Sequence, residues 1–148
     1  MAINWDKRYI QLAEFFSSGS KDPKAHVGAV VTTANDGAIA LGYNGFPRGV
    51  EDRASRLKNQ ELKLEMIVHA EQNALRIAGR GAQGGTIHVS GKPVCARCAG
   101  LIIQAGIKRV VASNPNAGDK NSKWHPTGMI ALSMLREAKV RVNFTPTP

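Results

Sequence analysis

Thr86-Ile87-His88-Val89-Ser90-Gly91-Lys92-Pro93-Val94-Cys95-Ala96-Arg97-Cys98-Ala99-Gly100-Leu101-Ile102-Ile103-Gln104-Ala105-Gly106-Ile107-Lys108-Arg109-Val110-Val111-Ala112 reads as strand, turn, helix and strand in succession. Residues 86–90 are β-branched or alternating, 91–94 hold the Gly and Pro of a turn, and 95–105 form a helix closed by Gly106 in the C′ position. Residues 107–112 return to a β pattern. Two strands joined by a helix are parallel neighbours in one sheet, because a crossover helix is the usual connection between them.

Working outward, the same alternation of elements continues. Residues 127–138 carry a helical pattern after a polar loop at 113–126, and Val140, Val142 and Phe144 alternate in a last strand. Upstream, residues 27–33 and 38–43 are rich in small and β-branched side chains. Between them Ala34-Asn35-Asp36-Gly37 offers residues that tolerate the positive φ of a tight turn, so an antiparallel hairpin is predicted. Trp5, Tyr9, Leu12, Ala13 and Phe16 lie at helical spacing, with Asn4 or Asp6 as the cap and Ser17-Ser18-Gly19 as the stop. Ala70, Ala74, Leu75, Ile77 and Ala78 mark another helix over 69–80, ending at Gly79 and Gly81. Residues 51–66 hold Glu51, Asp52, Arg53, Arg56, Lys58, Glu61, Lys63 and Glu65, which suits either a solvated helix or a mobile cover over a site. The expectation is a three-layer α/β/α fold, a mixed five-stranded sheet with helices on both faces, in a single domain over 1–148.

Two Cys in 148 residues are a poor disulfide framework. Three residues apart and nearly one helical turn on, Cys95 and Cys98 share one side of their helix and can reach one ion. The turn before them places the pair at a helix N-terminus, where free amides and the helix dipole favour thiolate. His69 and Glu71, two apart, would diverge by about 200° inside a helix. They converge only if the helix begins there. One His, two Cys and one Glu make three ligands for a soft tetrahedral metal plus an acid/base that need not bind it. That is the pattern of catalytic zinc, whereas structural zinc is normally closed by four ligands. His26, His88 and His125 show no spacing that ties them to the cluster, and His88, within a strand, reads as a packed or surface histidine. A redox pair would leave His69 and Glu71 without a use, and a structural zinc module would not need Glu71. Zinc lowers the pKa of a bound water to about 7, and Glu71 can take that water's proton and pass it on.

A His-x-Glu followed by a proline and a Cys-x-x-Cys resembles the signature of the zinc nucleobase deaminases. Ser20-Lys21-Asp22-Pro23 leading into Val27-Gly28-Ala29-Val30, then Gly42-Tyr43-Asn44-Gly45-Phe46-Pro47-Arg48-Gly49, and also residues 102–110, are similar to the deoxycytidylate (dCMP) deaminase family within that superfamily. The resemblance covers roughly residues 20–142. It implies a cytidine-deaminase-like fold and hydrolysis of dCMP to dUMP and ammonia, feeding thymidylate supply. It implies Zn2+ on His69, Cys95 and Cys98, Glu71 as catalytic acid/base, and Asn44 and Ala70 at the substrate. It further implies a homo-oligomer, a hexamer in many members, activated by dCTP and inhibited by dTTP. A Mg2+-bearing triphosphate would then be held near Lys21, Asn44, Gly45 and Arg48.

Twenty Lys and Arg against eleven Asp and Glu leave a net charge of +9, which favours anionic partners through the summed field. That charge also suits a rival reading, a deaminase of single-stranded nucleic acid or tRNA; a further alternative is a deaminase of another cytosine nucleotide or nucleoside. No run of five like charges is present and Trp5 and Trp124 make no stacking track, so a mononucleotide is favoured over nucleic acid. No apolar run approaches the roughly 18 residues of a membrane span, and Met1-Ala2-Ile3-Asn4-Trp5-Asp6 lacks the charged start and apolar core of a secretory signal. A soluble, cytoplasmic protein without a membrane partner is expected.

Overall fold

The computed structural model describes residues 2–35 and 37–146. Helix α1 (Trp5–Ser17) begins where the Asn4 side chain accepts a hydrogen bond from the Lys7 N–H at 3.0 Å, so Asn4 is the cap. Strands β1 (Gly28–Thr33) and β2 (Gly37–Tyr43) pair antiparallel, as the hairpin pattern predicts. Asp36 of the predicted turn lies outside the described residues.

Strand β3 (Thr86–Ser90) pairs antiparallel with β1 and parallel with β4 (Arg109–Ala112), and β5 (Arg141–Phe144) pairs parallel with β4. The sheet order is β2-β1-β3-β4-β5. Helix α5 (Ala96–Gln104) makes the crossover from β3 to β4, and α6 (Trp124–Glu137) the one from β4 to β5. Alternate strand residues Ala29, Val31, Ile87, Val89 and Val110 pack with Ala74, Ile102 and Leu135, so α4 (Ala70–Ala78), α5 and α6 share one face. Helix α1 covers the other. There Tyr9 stacks on His88, which is buried with Nε2 2.9 Å from Asp6 Oδ1. Arg109, 2.7 Å from the same carboxylate, holds Asp6 down at about 2. His88 is thus a packed histidine on the face away from the Cys pair. The three-layer mixed sheet is the expected one.

Several boundaries differ from the sequence reading. Helix α6 starts at Trp124 rather than at 127, because Pro126 occupies the first turn, where a missing N–H leaves no helical bond unmade. Strand β4 starts at Arg109 rather than at 107, since the Ile107 N–H is taken by Ile102 O at the close of α5. Helix α4 stops at Ala78 and continues as a 3-10 turn over Gly79–Ala82. The charged stretch 51–66 resolves into two short helices, α2 (Ala54–Leu57) and α3 (Gln60–Met66). Among the described residues no helix is long and apolar enough to cross a membrane.

Two glycines let helices approach the sheet from opposite sides. A Cβ at Gly28 would lie 1.8 Å from Ala13 O of α1, and one at Gly42 would lie 2.4 Å from Ala70 O and 2.6 Å from Ala74 N of α4. The second contact seats the start of α4, and hence His69 and Glu71, against β2. Gly42→Ala is expected to cost about 1–3 kcal/mol by displacing α4. Urea unfolding measures it, and an unchanged unfolding free energy would show that the contact is slack.

Candidate active site

The two halves of the site are helix caps. His69 is the N-cap of α4, extended at φ −73° and ψ 156°, and its backbone N–H donates to Gln72 Oε1 at 2.7 Å. Cys95 is the N-cap of α5, also extended at φ −86° and ψ 167°. The next N–H, that of Ala96, donates to Thr127 Oγ1 of α6 at 2.9 Å, so α6 completes the capping of α5. Because His69 stands before the helix and Glu71 within its first turn, the two are not bound to the divergence of a helix interior.

His69 Nδ1 lies 3.5 Å from Cys95 Sγ and 3.3 Å from Cys98 Sγ, and the three atoms fall within 4.8 Å of one another. Tetrahedral zinc with bonds of about 2.3 Å to sulfur and about 2.0 Å to nitrogen has a sulfur-to-nitrogen edge of about 3.5 Å. The cluster therefore fits zinc in both chemistry and span. Among the described residues no fourth side chain joins it. His125 is bonded elsewhere, with Nδ1 3.0 Å from Pro115 O.

The Cys98 thiol donates to Cys95 and pulls it down to about 4, aided by His69 against the effect of burial. The same interaction, with burial, pushes Cys98 up, and Cys95 raises the pKa of His69. Burial also pushes the Glu71 carboxyl up, with His69 opposing, and this side chain is only 3% exposed.

A cavity of about 370 Å³ opens over the cluster, with His69, Ala70, Glu71 and Cys95 at its base. Asn44 lines it too, 5% exposed, with Oδ1 accepting from the Val27 N–H at 2.9 Å and Nδ2 donating to Ala25 O at 3.0 Å. Gly45, Lys21 and Arg48 lie outside this wall. Gly45 makes a backbone bridge to Val68, Lys21 pairs with Asp52 at 3.2 Å, and Arg48 is exposed.

The cavity also holds residues that the sequence reading did not select. Trp124, the first residue of α6, stands edge-on to His69 with ring centroids 6.3 Å apart. Lys92 Nζ and Lys123 Nζ sit 5.6 Å and 5.4 Å from its ring. Lys24 lines the same cavity, and none of these three lysines forms a salt bridge among the described residues. The available signal was the position of Lys92 in the turn just before the Cys pair; nothing local marked the others.

Over residues 3–114 the chain matches the family described as the cytidine and deoxycytidylate deaminase zinc-binding region. The chain belongs to that family. An uncharacterised deaminase of Aliivibrio fischeri is 38% identical over 146 residues, covering 99% of this chain and 97% of that one. Human deoxycytidylate deaminase is 33% identical over 74% of this chain, which spans 64% of the human enzyme, a little under two thirds. The dCMP deaminase of the cyanophage S-TIM5, solved in complex with dCMP and dUMP, superposes with a TM-score of 0.74 at 26% identity over 98% of this chain and 99% of that one. The cytidine-deaminase-like fold and a deaminase acting on a C–N bond follow.

A zinc-binding deaminase with this donor set should hold about one zinc per chain. Cys98→Ala is expected to lower that to a small fraction while the far-ultraviolet circular dichroism keeps its helical signal. Metal analysis of the purified variant decides it, and a full equivalent of zinc on Cys98→Ala would place the metal elsewhere.

Proposed function

We propose that this deaminase hydrolyses dCMP to dUMP and ammonia. The observation that carries the reading is the pairing of a metal-fitting base with a cationic wall in one small cavity. Among the described residues Lys24, Lys92 and Lys123 stand there without carboxylate partners, and Lys92 and Lys123 lie over the Trp124 ring. A phosphate monoester suits the lysines, and a flat pyrimidine and its sugar suit the aromatic wall. The volume of about 370 Å³ suits a mononucleotide rather than a polymer. The dCMP and dUMP held by the cyanophage neighbour support the same choice.

In this reading His69, Cys95 and Cys98 hold zinc, which when bound supplies the Lewis acidity that makes water a nucleophile near neutral pH. Glu71 takes one proton from water and delivers it to the ring nitrogen as the water oxygen bonds to the ring carbon, then moves the second proton from that oxygen to the exocyclic amino group, so that the C–N bond breaks, ammonia leaves and the carbon–oxygen bond becomes the carbonyl of the product. Its burial suits both duties, because a carboxylate pushed up in pKa takes a proton from water more readily than a surface glutamate and can carry it closer to neutrality before passing it on. Ala70 contributes backbone only: its N–H belongs to the first turn of α4, where helix geometry leaves donors without carbonyl partners, and the base carbonyl can accept from it. Asn44, anchored by Ala25 and Val27, has one N–H and one lone pair left for a sugar hydroxyl.

The proposal extends to assembly as a homo-oligomer, hexameric in the family's manner, and to dCTP and dTTP as opposed effectors. A Mg2+-bearing triphosphate would use Lys21, Gly45 and Arg48, with Asn44 joining the effector surface to the substrate wall.

Zinc-loaded protein should release ammonia from dCMP, and release it poorly from deoxycytidine and single-stranded DNA. Lys92→Ala and Lys123→Ala should each raise KM for dCMP about tenfold, the loss of roughly 1.4 kcal/mol of charge-assisted contact, while leaving deoxycytidine turnover unchanged. Assays with and without dCTP or dTTP test the effector arm. No ammonia from dCMP under any of these conditions would overturn the proposal.

A further inference from the structure

Helix α3 is held to the rest of the molecule in an unusual way. Its leucines Leu62 and Leu64 are 40% and 38% exposed, and its one buried residue is Lys63, 2% exposed. Lys63 Nζ lies 2.9 Å from Asp22 Oδ1, itself on a side chain buried to 5% exposure. Both line the cavity over the metal cluster.

A buried ion pair gains little over an apolar pair of similar volume, but removing one partner leaves an uncompensated buried charge, so Lys63 and Asp22 hold each other, and with them α3, in place. The pair's usefulness here lies in what Asp22 does next. The same Oδ1 accepts from the Lys24 N–H at 2.8 Å and the Ala25 N–H at 3.3 Å, which shapes the turn that runs into β1. Ala25 O and the Val27 N–H in turn hold the Asn44 carboxamide. A continuous set of hydrogen bonds therefore runs from α3 through Asp22 and residues 24–27 to Asn44, along one wall of the cavity. Lys24, one of the three unpaired lysines, sits on the turn that Asp22 shapes.

We propose that Lys63 and Asp22 are positioning residues for the substrate: the buried pair fastens α3 as a cavity wall and aligns Lys24 and Asn44 toward the nucleotide. The pair touches neither the metal cluster nor Glu71 by any hydrogen bond, so its effect falls on binding rather than on the chemical step. The kinetic consequence rests on the dCMP reading; the fastening of α3 does not.

The experiment compares wild type, Lys63→Met, Lys63→Arg and the double variant Asp22→Leu with Lys63→Met, all zinc-loaded. Lys63→Met should raise KM for dCMP about tenfold with kcat held within about twofold, and Lys63→Arg should recover most of the loss. Amide exchange over residues 60–66 should quicken about tenfold in Lys63→Met while α1 and the zinc content stay as in wild type. The double variant carries no buried charge and keeps the test decisive where Lys63→Met folds poorly; it too should show the raised KM. A wild-type KM in the double variant, or unchanged exchange in α3 of Lys63→Met, would overturn the proposal. A wild type inactive on dCMP would overturn the substrate reading alone, and exchange in α3 would then decide the fastening role by itself.

Discussion

Two helix N-termini meet at one point, and the sheet is arranged to hold them there. His69 heads α4 and Cys95 heads α5, both in extended cap geometry, which lets a histidine, two thiols and a glutamate share a space that helix interiors would deny them. Gly42 allows α4 to lie against β2, and Thr127 of α6 caps the start of α5. The parallel crossovers on one face put α4, α5 and α6 side by side, so the core that stabilises the sheet also fixes the spacing of the ligands. Helix α1, alone on the other face, closes the sheet with Asp6, Tyr9 and His88 and takes no part in the cluster.

The electrostatics of the site follow from this placement. N-terminal amides favour thiolate, and Cys95 is held low chiefly by the Cys98 thiol, with His69 and the Cys98 backbone N–H adding to it. Glu71 is buried beside the cluster and is not among the three grouped ligand atoms, which suits the acid/base role proposed for it. The same cavity is lined by buried acid/base groups and by the more exposed Lys24, Lys92 and Lys123, with Trp124 beside His69. That division suits a ligand whose reacting ring meets the acid/base groups and whose negative charge meets the lysines.

Much of this was legible because it is local. The three-residue spacing of Cys95 and Cys98, the His-x-Glu pair, and the turn residues before each helix put the ligands on helix starts without any long-range information. Strand alternation and the helix between residues 90 and 109 were enough for the parallel half of the sheet. What was hidden depends on distant partners. Lys63 lies in a run of charged residues that reads as solvated, and it is buried only because Asp22, 41 residues earlier, receives it. Pro126 suggested the end of a loop, yet it sits in the first turn of α6, which begins at Trp124 and carries that ring to the cavity. Asn44 was visible as a polar residue in a glycine-rich loop, but not that its carboxamide would be tied to the backbone at Ala25 and Val27.

The central claim is that this chain holds a hydrolytic zinc site whose acid/base is a separate residue, Glu71. It is tested most directly by one comparison of wild type with Glu71→Gln, measuring zinc content, dCMP binding and ammonia release on the same preparations. The account predicts full zinc and retained dCMP binding, with ammonia release reduced at least about a hundredfold. Turnover at the wild-type rate by a zinc-loaded Glu71→Gln protein would contradict it.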